Sequence, residues 1–170
     1  MYNKNIYLIG MMGSGKSTIG KKLSDAIDIP LLDMDIELEK IMEMKIDTIF
    51  NEYGENRFRM IESSFFSEIT KKNIFVYATG GGIILDKSNQ KILMQKGTTI
   101  FLDCSLDVLY SRLKNNVNSR PILKNDFEKK INEIYNERYD IYKSCSDFIQ
   151  DTSSLTPNKI VDYIRNYLNE

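Results

Sequence analysis

Gly10-Met11-Met12-Gly13-Ser14-Gly15-Lys16-Ser17 decides how the rest of the chain is read. The stretch follows the apolar run Asn5–Ile9 and precedes a segment, Lys16–Ile27, in which Ile19, Leu23 and Ile27 recur at four-residue steps. It therefore sits between a predicted strand and a predicted amphipathic helix. It matches GxxxxGK[ST]. Glycines let the backbone approach an anion closely, and successive N–H groups then converge on it with help from the following helix N-terminus. In that pattern Gly13, Ser14, Gly15, Lys16, Ser17 and Thr18 hold the phosphates of a nucleotide. The Lys16 ammonium reaches the terminal phosphates and the Ser17 hydroxyl ligates Mg²⁺. Such a match arises by chance at roughly 4 in 100,000 positions, under about 1% for a chain this long.

Working outward, further short apolar runs alternate with helical patterns. Pro30–Asp33, Ile74–Ala78, Thr98–Leu102 and a weaker Phe148–Gln150 read as strands. Glu55–Lys71, Leu106–Leu113, Asp126–Lys143 and Thr156–Leu168 read as helices, the last with Thr156 as cap and Pro157 in the first turn. The alternation predicts an α/β fold with a parallel sheet and helices on both faces. The 170 residues predict one domain, 1–170, with enough chain to bury a core. The polar stretch 115–125, containing Arg120-Pro121, is expected to be a mobile lid or a plain surface loop.

Composition excludes several classes. The chain carries 23 basic and 24 acidic side chains, a net charge of -1, so it shows no electrostatic footprint for nucleic acid or an anionic membrane. Two cysteines without CxxC spacing argue against a disulfide framework or a structural zinc site. No signal peptide or spanning apolar run is evident, and a cytoplasmic monomer is expected. With no histidine, a general base must be a carboxylate or another group.

Three more constellations lie at chemically useful places. Asp33-Met34-Asp35 ends the second predicted strand; were the strand to continue, both carboxylates would face one crevice at the carboxyl edge of the sheet. The alternative is a helix cap. Arg59 and Glu62 are three apart in a helical stretch opened by Gly54-Glu55. They make either a surface ion pair, the reading sequence physics slightly favours, or an oriented guanidinium suited to a carboxylate ligand. Thr79-Gly80-Gly81-Gly82 follows the third strand and permits close approach of backbone to a ligand, its N–H groups facing it. Arg112, Arg120 and Arg138 are each, taken alone, ordinary solvated arginines.

Taken together, GMMGSGKST (10–18), DMD (33–35), GENRFRMIE (54–62), GGG (80–82), RPIL (120–123), ERYDIY (137–142) and DTSSLTP (151–157) resemble the shikimate kinase family over nearly the whole chain. The resemblance implies a P-loop NTPase-type three-layer sandwich, a five-stranded parallel sheet with a mobile lid at about 115–125 and a substrate-binding helical region at about 35–62. It implies transfer of the ATP γ-phosphate to the 3-hydroxyl of shikimate, on the route to chorismate and aromatic amino acids. By the same resemblance, Lys16, Asp35 and Arg120 are catalytic. Asp35, Arg59, Gly81, Gly82 and Arg138 bind shikimate, with Arg59 and Arg138 on its carboxylate. Arg112 flanks the adenine, Arg120 reaches ATP from the lid, and Ser17 and Asp33 serve Mg²⁺. The chain departs from the family pattern where Asp140 replaces a usual proline and where Ser144 replaces a frequent acidic residue. The span from Arg112 to Arg120 is also one residue longer than usual. The competing readings are another small P-loop kinase, such as a gluconate-type or nucleoside-monophosphate kinase, and a non-catalytic ATP-binding regulator.

Overall fold

A computed structural model describes residues 2–71, 74–114 and 127–169. The expected lid at 115–125, and Arg120 with it, lie outside the described residues. The chain runs β1 (Asn5–Ile9), α1 (Lys16–Ile27), β2 (Leu31–Asp33), α2 (Met34–Met42), α3 (Ile46–Ile69) and β3 (Val76–Ala78). A single 3₁₀ turn (Ile83–Leu85) leads to α4 (Lys87–Gln95) and β4 (Gly97–Asp103). Then come α5 (Leu106–Lys114), α6 (Phe127–Cys145), β5 (Phe148–Asp151) and α7 (Pro157–Asn169). The five strands form one parallel sheet in the order β2-β3-β1-β4-β5.

Alternation along the strands divides the core. Ile6, Leu8, Val76, Ile100 and Leu102 point to one face and pack with Ile19 and Leu23 of α1 and Ile160, Val161 and Ile164 of α7. Tyr7, Ile9, Tyr77 and Phe101 point to the other and pack with Phe66 of α3, Leu93 of α4, Leu109 of α5 and Ile131 and Tyr142 of α6. A central parallel strand buried on both faces reads as a continuous apolar run, as β1 does. Gly20 lets α1 lie close on the sheet: a Cβ there would stand 2.9 Å from Leu31 Cδ1. Leu38, Ile49 and Phe58 form a third, smaller apolar cluster between α2 and α3, away from the sheet.

Asp33 realises the helix-cap alternative, and a helical stretch absent from the sequence reading precedes Gly54. The second strand does not persist through Asp35. It stops at Asp33, whose Oδ1 accepts the backbone N–H of Asp35 (3.2 Å) and of Ile36 (3.4 Å) and so caps α2. The cap satisfies donors that a longer strand would leave orphaned. The helix expected from Glu55 is the second half of a longer one that starts at Ile46 and breaks at Gly54 (φ 75°, ψ 166°). The helix α4, which the apolar spacing did not reveal, is started by Asp86, whose carboxylate accepts from the N–H groups of Ser88 and Asn89. The helix α6 runs unbroken through Asp140. No helix among the described residues is long and apolar enough to cross a membrane.

Candidate active site

The loop from Gly10 to Gly15 joins β1 to α1 at the carboxyl edge of the sheet. Gly13 (φ 82°) and Gly15 (φ 101°) take left-handed conformations that bend the backbone around a concavity. Gly15 occupies the cap position of α1 with no side-chain acceptor, and the first turn of α1 has no acidic residue. The orphaned N–H groups of that turn and the positive end of the helix dipole are therefore left for an external anion. Lys16 folds back over the loop, its ammonium donating to the carbonyls of Gly10 (2.8 Å) and Met11 (2.9 Å). A cleft of about 370 Å³ opens here, walled by Gly13–Thr18 with Arg112, Thr152 and Pro157 at its far side. Arg112 is exposed but held by the backbone. It donates to the carbonyls of Thr152 (2.7 Å) and Gly13 (3.2 Å), which ties the end of β5 to the loop.

The Ser17 hydroxyl donates to Asp33 Oδ2 at 2.6 Å. The two residues read as metal-linked thus touch, although sixteen positions separate them. Among the described residues no three carboxylates, thiols or imidazoles gather into a cage. A hydroxyl and one carboxylate beside a phosphate cradle suit Mg²⁺, which keeps several waters and takes few protein ligands. On this donor set the site fits the ion.

A second cleft, of about 620 Å³, continues from the first and shares Met12, Ser17, Asp33, Asp35 and Gly81 with it. Its far wall carries Arg59, Glu62 and Arg138. The Arg59–Glu62 pair corrects the surface-pair expectation: the two side chains are 18% and 1% exposed. Arg59 Nη1 donates to Glu62 Oε2 (2.7 Å) and Nη2 to Glu55 Oε1 (3.2 Å), with the Phe58 and Phe50 rings 5.1 and 5.8 Å from the guanidinium carbon. Burial works against the charge of Arg59, but the two carboxylates outweigh it and hold the guanidinium above its ordinary pKa. Burial pushes the Glu62 carboxyl up, Arg59 pulls it down, and Asp35 and Arg138 act on it with opposite signs. These four groups therefore form one electrostatic cluster.

The glycine triplet lines this cleft and has a second physical role within the protein. None of its residues has positive φ. A Cβ on Gly80 would stand 2.5 Å from Glu62 Oε1, and one on Gly82 would stand 2.3 Å from the guanidinium carbon of Arg59. The triplet leaves room for the buried ion pair. The carbonyl of Gly81 accepts from Arg138 Nη1 (3.2 Å) and from the hydroxyl of Tyr142. Burial pushes the Tyr142 hydroxyl well up, which keeps it a neutral donor. Tyr142 was legible only as a neighbour of Arg138, yet four-residue spacing on one helix already put the two on one face. Phe58 carried only a helical apolar signal, and Phe50 lay outside the predicted helix.

A protein-family model described as shikimate kinase matches residues 12–169. A curated shikimate kinase of Caldicellulosiruptor bescii is 41% identical over 162 residues, covering 95% of this chain and 93% of that protein. One from Thermodesulfovibrio yellowstonii is 40% identical, covering 95% and 92%. Among solved structures, shikimate kinase from Acinetobacter baumannii in complex with shikimate superposes with a TM-score of 0.93 at 29% identity, covering 98% of this chain and 93% of that one. A gluconokinase from Sinorhizobium meliloti, at 14% identity and a TM-score of 0.61 over 98% of this chain and 91% of its own, shares the fold alone. With a nucleotide cradle and an arginine-walled pocket meeting at two aspartates, and with relatives that match nearly end to end, the chain belongs to the shikimate kinase family.

Proposed function

We propose that this chain transfers the γ-phosphoryl group of ATP to the 3-hydroxyl of shikimate, giving shikimate 3-phosphate and ADP, as a cytosolic monomer. One observation carries the reading: the phosphate cleft and the arginine-walled cleft meet at Asp33, Asp35 and Gly81. A donor held in the first and an acceptor held in the second present their reacting atoms to one another, which is the largest demand of phosphoryl transfer.

The roles are those the family resemblance implies, and the placement of the described residues supports them. Gly13–Thr18 wrap the phosphates, Lys16 neutralises charge on the transferred group, and Arg112 stands at the adenine end. Arg59 and Arg138 take the carboxylate of shikimate, and the helical region 35–62 forms the outer wall of its pocket. Asp35 orients the acceptor hydroxyl and receives its proton. The hydroxyl oxygen bonds to the γ-phosphorus as the bridging P–O bond breaks, and ADP leaves with that electron pair. Ser17 and Asp33 would hold Mg²⁺, which when bound would draw charge from the phosphate oxygens. Arg120 would add a further cation from the lid. The same convergence of Lys16, Ser17, Asp33 and Asp35 disfavours a non-catalytic ATP sensor.

Metal dependence tests the left half of this arrangement. ADP release in the presence of shikimate should stop with a chelator and return with Mg²⁺. Asp33→Asn keeps a good helix cap while losing the charge. It should need about tenfold more Mg²⁺ for half-maximal rate. Turnover indifferent to chelation would exclude the roles given to Ser17 and Asp33.

A further inference from the structure

The corner between α2 and α3 forms one wall of the acceptor cleft, with Glu39, Lys45, Ile46, Asp47 and Phe50 all lining it. Locally this corner is poorly specified. Glu43, which ends α2, takes a left-handed conformation (φ 53°) that a residue with a Cβ seldom adopts. Lys45 stands at the cap position of α3, where lysine has no acceptor to offer, and makes no side-chain cap. The support comes from Glu39, one turn back on α2. Its backbone carbonyl accepts the Met44 N–H (3.2 Å). Its Oε1 accepts the Ile46 N–H (3.0 Å), and its Oε2 accepts from the Lys45 ammonium (2.7 Å).

A single carboxylate thus caps α3 from another helix and neutralises the residue that fails to cap it. Hydrogen bonding to Lys45 is the largest of the influences that hold the Glu39 carboxyl below its ordinary range, so it is charged at neutral pH. A charged acceptor at a helix N-terminus is also favoured by the helix dipole. The two helices joined in this way bring different parts of the site: α2 carries Asp35, the first half of α3 carries Phe50, and Arg59 and Glu62 follow beyond the break at Gly54. Their shared apolar contact centres on Leu38, Ile49 and Phe58, with partly buried side chains that include Ile46 and Phe50 packed against it. The corner sets the first half of α3 against α2, and it reaches Arg59 across the break at Gly54 through Phe50, whose ring lies 4.6 Å from that of Phe58 and 5.8 Å from the Arg59 guanidinium carbon.

We propose that Glu39 is a positioning residue for the acceptor: by tying α2 to the N-terminus of α3 it sets the spacing between the hydroxyl-orienting Asp35 and the Phe50 wall against which the carboxylate-binding Arg59 rests. The inference rests on the function proposed above and adds to it a specific determinant of acceptor affinity. A merely structural cap would act on stability; a positioning residue acts on KM for the acceptor.

The experiment compares wild type, Glu39→Gln, Glu39→Ala and the double variant Glu39→Ala/Lys45→Ser, measuring KM for shikimate, KM for ATP, kcat and melting temperature. Serine at position 45 supplies α3 with a cap of its own, without a link to α2. Glu39→Ala should raise KM for shikimate about tenfold while KM for ATP stays within about twofold. Glu39→Gln, which keeps an acceptor for Ile46, should fall between. The double variant should recover melting temperature but keep the raised KM for shikimate. An unchanged KM in Glu39→Ala, or recovery of KM together with melting temperature in the double variant, overturns the proposal while leaving the shikimate reading intact. A wild-type chain inert toward shikimate overturns both.

Discussion

Lys16→Met should lower shikimate-dependent turnover by about a thousandfold while leaving the fold in place. The Lys16 ammonium now rests on the Gly10 and Met11 carbonyls, at the mouth of a loop that leaves α1 without a side-chain cap. The charge it carries is needed where negative charge is spread over the transferred group, and Met matches the stem without the ammonium. Neither Ser17 nor Asp33 can replace it, because one is neutral and the other negative. Burst and steady-state ADP release, with circular dichroism as the control for folding, measure the loss. Near-normal turnover in a folded variant would refute the phosphate-loop mechanism.

Arg59→Ala should raise KM for shikimate by roughly 30- to 150-fold, equivalent to about 2–3 kcal/mol, with little change in KM for ATP. The reason is geometric as well as electrostatic. The guanidinium is held by two carboxylates and two aromatic rings, so its order is already provided before a ligand arrives. The variant also leaves Glu62, 1% exposed, without its ion-pair partner, and a loss of about 3 kcal/mol in stability is expected. Gly82→Ala separates the two effects. It keeps both charges but puts a methyl group where the guanidinium lies, 2.3 Å from its central carbon, so KM for shikimate should still rise. Equal losses in shikimate and ATP affinity in both variants would sink the carboxylate-clamp assignment.

How far the sequence spoke for the structure varies by element. The strand Asn5–Ile9 and the helix Lys16–Ile27 were readable to the residue, because an apolar run, a glycine loop and four-residue spacing mark their ends. The cap at Asp33 was visible only as an alternative. A carboxylate at a strand end looks the same whether its oxygens face a metal or a helix, and here one accepts from the helix N–H groups and the other from the Ser17 hydroxyl. The helix Lys87–Gln95 was missed because its buried face is carried by little more than Asn89 and Leu93. The phosphate-loop residues were legible because their chemistry is local in sequence. Burial of Arg59 and Glu62 was not, since it depends on Gly80 and Gly82, some twenty residues away in sequence, and no pattern within one helix reports a distant glycine. The role of Glu39 was hidden for the same reason: its partners lie on another helix, beyond any spacing rule for its own.

The central claim is that the arginine-walled cleft selects shikimate as the acceptor for a phosphoryl group delivered from the neighbouring cradle. The most direct measurement is Mg²⁺- and ATP-dependent ADP release with shikimate, gluconate and AMP offered separately. The account predicts strong stimulation by shikimate and none by gluconate or AMP. Stimulation by gluconate or AMP in its place, or by none of the three, would contradict it and remove the acceptor roles of Asp35, Arg59 and Arg138.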